Sequence, residues 1–238
     1  MDGFTYYNIF ETKGMEYLII IAFLALLIPF SIILNRKVKI KKQIQKVMGI
    51  LTSGILKIPQ GVLYSQSHTW AHLSKSGIAD VGMDDLLLHI TGEVKLNYMK
   101  KPGEPIAKGE VMTEIDHQGK MLKIFSPISG QVMETNSLLI ESPGILNEDP
   151  YETGWIYKIK PANWKSDTNS YYLSDGATAW SKREVERFKD FLAIAMPKYM
   201  PDASAVAMQD GGELRDQLLA ELPGEIWGDF QKEFLNDQ

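Results

Sequence analysis

The sequence predicts a mainly β domain, closed as a flattened barrel, behind an N-terminal membrane-spanning helix and ahead of a helical C-terminal extension. Three observations predict it: an uncharged apolar run over 17–34, closely spaced turn signals between Gly61 and Trp164, and helical apolar spacing beyond Ser181. With 238 residues, 45% hydrophobic and 23% charged, the chain has apolar material for one ordinary domain plus appendages. A net charge of -5 offers no long-range attraction for polyanions, so no nucleic-acid partner is expected. The absence of cysteine excludes disulfides, thiolate metal sites and cysteine-ligated clusters. His68, His72, His89 and His117 match no metal-binding spacing, and no metal is expected.

From Tyr17 to Leu34 the chain reads YLIIIAFLALLIPFSIIL, which suits a membrane helix of about 20 residues. Pro29 should kink it, or sit where a neighbouring helix restores the lost backbone bond. The preceding residues are net acidic and no small-x-small site follows, which argues against a cleaved signal peptide. Arg36, Lys37, Lys39, Lys41, Lys42 and Lys46 come next, against a lone Lys13 before the run. The positive-inside tendency then places 1–14 outside, 15–35 across the bilayer, and 36–58 as a basic juxtamembrane segment on the cytoplasmic side. The expected location is single-pass in the inner or cytoplasmic membrane, with the lipid bilayer as one partner.

Residues 59–164 carry short runs of β-formers divided by turns, which indicates antiparallel strands rather than alternating βαβ units. Pro102-Gly103 and Lys108-Gly109 bracket one tight connection, while Ser126-Pro127 and Ser129-Gly130 bracket another. Trp70, Trp155 and Tyr157 read as core or rim aromatics, and Asn147 to Tyr151 as a turn.

Five blocks in this order carry a family resemblance: HTW at 68–70, VGMDDLL at 81–87, PGEPIAKGE at 102–110, SPISGQVMETN at 126–136 and SPGILNEDPYETGWIYKIKP at 142–161. Together they resemble the H protein of the glycine cleavage system over roughly a hundred residues. The resemblance implies a barrel-sandwich hybrid fold, shared with lipoyl and biotinyl carrier domains, in which a lysine at a hairpin tip bears a swinging arm. In that family the modified lysine stands seven residues before the serine of the S-P-x-S-G turn. Counting back from Ser126 gives Gly119, so the carrier position holds no lysine.

Lys120 is the neighbour of that position. A one-residue shift reverses a side chain's face on a strand, although both central residues of a turn can be exposed. Gly119 suits the positive φ of a two-residue turn, with Lys120 as a solvated tip residue. Asp116 and His117 form a conceivable acid/base pair, but an exposed tip gives no pocket to tune them, and no catalytic residue is expected.

The extension, 165–238, begins as a polar loop. Ser181 and Glu184 have capping-box spacing ahead of Val185, Phe188, Phe191, Leu192 and Ala195, predicting a helix that ends near Met196 at Pro197. Two shorter helices are predicted near 213–222 and 224–235. Phe188, Phe191, Trp227, Phe230 and Phe234 are candidates for docking on a partner, the alternative being that these helices pack on their own barrel. The functional expectation is a non-catalytic, membrane-anchored scaffold or docking subunit of a larger membrane complex, without a cofactor, in a respiratory or electron-transfer setting by analogy alone. The alternative is a membrane-bound lipoate carrier modified at Lys120 and related to glycine cleavage.

Overall fold

The computed structural model describes residues 17–31, 49–201 and 214–236. The chain divides into two compact units, 1–48 and 49–238.

In the first unit, residues 17–31 form a helix, α1. Among the described residues no helix is long and apolar enough to cross a membrane. This corrects the expected transmembrane span, and with it the membrane location, topology and bilayer partner inferred from the run. Most of the expected basic juxtamembrane segment lies outside the described residues.

The second unit is mainly β. Seven antiparallel strands form the larger sheet. Its sequence-ordered members are β2 (Leu63–Tyr64), β3 (Thr69–Leu73), β4 (Ala79–Met83), β6 (Pro105–Ile106), β9 (Gly130–Thr135), β10 (Tyr157–Pro161) and β11 (Tyr172–Leu173), arranged β11-β2-β3-β4-β10-β9-β6. A three-stranded sheet, β5-β7-β8, is made from β5 (Lys95–Tyr98), β7 (Val111–His117) and β8 (Lys120–Phe125). β1 (Ile50–Leu51) pairs with β12 (Leu214–Arg215), bringing two segments distant in sequence together. The core draws on both larger sheets: Val81, Ile115, Leu122, Ile124, Val132 and Ile159 are all buried. On β8 the alternation is plain, with Leu122 and Ile124 inside and Met121 and Lys123 outside.

Between β4 and β5 lies a helix the β-rich reading did not anticipate, α2 (Asp85–Thr91). Asp84 caps it by accepting from the Leu87 amide at 2.8 Å. Single-turn helices α3 (Leu138–Glu141), α4 (Ile145–Glu148) and α5 (Trp164–Asp167) decorate the loops. At the turn expected near 147–151, the Asp149 carboxylate accepts from the amides of Tyr151, Glu152 and Thr153.

The extension carries α6 (Asp175–Tyr199), α7 (Leu218–Glu221) and α8 (Gly224–Phe230), which continues as a π-helical turn, Gln231–Leu235. α6 differs from the predicted helix at both ends. It starts before Ser181, which lies inside it, so the S-x-x-E spacing marks no cap here. It also passes through Pro197 to Tyr199, because a proline so close to the end forfeits little of the ladder, and the Met200 amide still reaches the Met196 carbonyl at 2.7 Å.

Candidate functional site

The β7–β8 hairpin is closed by the pair His117 and Lys120, leaving Gln118 and Gly119 as a two-residue turn. Their φ values, +53° and +86°, are both positive, as the twist-matched hairpin turn demands. Gly119 donates its amide to Asp116 Oδ1 at 2.7 Å, which fixes the turn. Both turn residues are exposed, and nothing lies within 4 Å of where a Cβ on Gly119 would stand. Gly119 is therefore the projecting point of the hairpin, and it has no side chain to project.

Lys120 turns away from the tip toward the extension. Its ammonium donates to the Ala220 carbonyl and, at 3.1 Å, to the Leu222 carbonyl. These carbonyls end α7, where the helix leaves acceptors without partners of its own. A cation there is also favoured by the peptide dipoles. The ammonium lies 5.3 Å from the Trp227 ring centroid, a cation–π distance. Trp227 in turn donates its indole N–H to the Leu219 carbonyl at 2.7 Å.

His117, across the hairpin, stacks on the same indole with centroids 6.0 Å apart and planes 20° apart. Its Nδ1 lies 2.7 Å from the Glu93 carbonyl, which can only accept, so Nδ1 bears the proton. Asp116 and His117 thus serve the turn and the extension, each with a different partner, and do not form an acid/base pair with one another. Farther along β8, the Gln231 side chain accepts from the Lys123 amide at 2.6 Å and donates to the Lys123 carbonyl at 3.2 Å. A side-chain amide so occupies a backbone position that an added strand would use on the outer strand of this sheet.

The five aromatics considered for partner docking face the interior: Phe188, Phe191, Trp227, Phe230 and Phe234 are at most 5% exposed. Phe230 and Phe234 stack at 4.7 Å, and Phe188 and Phe191 meet them edge-on. They belong to one core cluster with Ile115 of β7 and Leu122 and Ile124 of β8.

A second polar cluster joins α6 to the segments just before β3 and α2. His68, fully buried, places Nδ1 at 2.8 Å from Asp84 Oδ2 and Nε2 at 3.6 Å from Glu184 Oε2. Burial alone would lower the His68 pKa, but the Asp84 and Glu184 carboxylates outweigh it and push it up to about 9. Burial tends to raise Glu184, yet His68 and Arg187 hold it below the usual carboxylate range. A histidine protonated between two carboxylates is spent as a base, and its role is to clamp. His89 repeats the pattern: burial opposes charging, but bonds to Asp216 at 2.7 Å and to Asp85 push it up to about 9. The Asp85–His89 spacing is that of one helix face, but the sequence held no local sign of the longer pairs, since Glu184 and Asp216 stand far along the chain from His68 and His89. Among the described residues no group of three or more His, Asp or Glu could hold a metal ion.

The glycine cleavage H-protein family model matches residues 62–182. A probable glycine cleavage system H protein of Thermococcus kodakarensis is 35% identical over 114 residues, covering 48% of this chain and 84% of that protein. The glycine cleavage system H protein of Anaeromyxobacter sp. strain K is 36% identical over 110 residues, covering 46% and 85%. The chain belongs to the glycine cleavage H-protein family. A crystal structure of the H protein from Mycobacterium marinum aligns with a TM-score of 0.46 at 23% identity, over 53% of this chain and 99% of that one. The H-protein match ends at Lys182, inside α6. The segment that grips Lys120 therefore lies beyond it.

Proposed function

We propose that this H-protein-like chain bears no lipoyl arm and works as a non-catalytic scaffold or docking module among other protein subunits. The observation that carries the reading is Gly119, exposed at the hairpin point where the family resemblance calls for the carrier lysine. A swinging arm needs an amine that projects freely, whereas the neighbouring amine of Lys120 is bonded to Ala220 and Leu222. Intact-mass measurement of the protein purified from lipoate-replete cells tests this. An unmodified mass is expected, and a lipoyl increment on the hairpin would defeat the reading.

The second reading is a lipoate carrier modified at Lys120. Membership of a family whose resemblance implies lipoyl carriage favours it, as does the one-residue distance of Lys120 from the carrier position. The same mass measurement separates the two.

A further inference from the structure

We infer that the segment Leu218–Leu235 is an intramolecular guard that withholds the Lys120 amine from acylation by activated carboxylic acids. The inference deepens the reading of an arm-free module and rests on it. An amine acylates only as the free base, with its lone pair aimed at the acyl carbon and space for the acyl group to approach. At Lys120 the aim of the nitrogen and the approach to it are both restricted. Two of its ammonium N–H groups donate to the Ala220 and Leu222 carbonyls, and the Trp227 ring stands beside its nitrogen.

The guard is anchored on both sides of the amine. Upstream, Asp216 pairs with His89 on α2, and the Gln217 amide donates to the His89 carbonyl at 2.6 Å. Downstream, Phe230 and Phe234 are buried against Phe188 and Phe191 of α6. Between these anchors Trp227 touches both strands of the hairpin, through His117 and Lys120, and Gln231 holds the backbone of Lys123. To free the amine, several of these contacts must break together. Lys123, three residues along the same strand, is exposed and provides an internal reference.

The test treats the full chain with the N-hydroxysuccinimide ester of acetic acid and follows each lysine by peptide mass spectrometry. In this reaction the amine nitrogen bonds to the acyl carbon, N-hydroxysuccinimide leaves, and the amine's proton passes to water. In the folded chain Lys120 should label roughly tenfold or more slowly than Lys123, the effect of two hydrogen bonds held in place by Trp227, whose indole is bonded to Leu219 of the same turn and packs beside the ammonium. In concentrated guanidinium the two rates should converge. Trp227→Ala, if folded by circular dichroism, should bring Lys120 close to Lys123; if it does not fold, the folded-to-denatured comparison of the unaltered chain decides. Equal labelling in the folded chain would overturn the guard, as would a folded Trp227→Ala in which Lys120 stays slow. A lipoyl mass on native Lys120 would sink both guard and arm-free module, whereas fast labelling of an unmodified native Lys120 would sink the guard alone.

Discussion

Trp227 lies on the His117 ring, planes 20° apart, while the ammonium of Lys120 approaches the same indole to 5.3 Å. One side chain of the extension therefore spans both strands at the hairpin end. Trp227 is only 2% exposed, so Trp227→Ala removes a large buried ring and leaves a void, at a cost of about 3–5 kcal/mol. Denaturant unfolding monitored by circular dichroism should show that loss. A cost under about 1 kcal/mol would mean that the indole is not packed as described.

His68 makes stability depend on alkaline pH. Its folded pKa, about 9, exceeds its ordinary 6.5, so the folded state binds the proton more tightly than the unfolded one. The contribution is complete below about 6.5 and is lost as pH rises through about 9. His89 adds to the same trend. The His68 contribution is on the order of 3 kcal/mol. Denaturation midpoints should fall between neutral and alkaline pH, and His68→Gln should flatten that fall; an unchanged slope in the variant would remove His68 as its source.

Glu184 gives the opposite limb. Its pKa is depressed in the fold, so its contribution is present above the ordinary carboxylate value and fades as pH drops through the folded one. Glu184→Gln should weaken the chain at neutral pH while leaving its stability less sensitive to acid. Parallel acid titrations of the two proteins would contradict this.

Gly119→Lys places a lysine at the position where the family resemblance expects the carrier lysine. The added side chain meets open space, and the only penalty is the +86° φ, about 1 kcal/mol. When produced in cells that lipoylate H proteins, this variant should gain a lipoyl mass on residue 119, and on the proposed reading the unaltered chain should show none. No gain in the folded variant would show that the hairpin is refused for reasons other than the missing amine.

Gly82→Ala should disrupt the larger sheet. Gly82 pairs with Trp70, and a Cβ there would stand 2.8 Å from the indole of that fully buried tryptophan. Neither the paired backbone nor the enclosed ring has room to yield, so a loss of about 1–3 kcal/mol is expected in thermal unfolding.

Features governed by near neighbours were legible in the sequence. The glycine at the hairpin tip, the β texture and the Asp149 turn all follow from local backbone chemistry, and the blocks from His68 to Pro161 pointed to the family. Features made by distant pairs were not. Ser181 and Glu184 mimic a helix start, yet Glu184 is used by His68 on the barrel. Asp84 and Leu87 could have revealed α2, but its leucines and isoleucine read equally well as strand. The apolar run 17–34 satisfied a composition rule, yet among the described residues no helix is long and apolar enough to cross a membrane. Nothing local links Lys120 to Ala220, 100 residues away.

The clamp of Gln231 on Lys123 also bears on how molecules of this protein behave when crowded. β8 is the outer strand of its sheet, and an outer strand with free amide and carbonyl groups invites sheet-to-sheet growth between molecules. By filling one such backbone position with a side chain of its own, the protein leaves that position on β8 closed to a strand from another molecule.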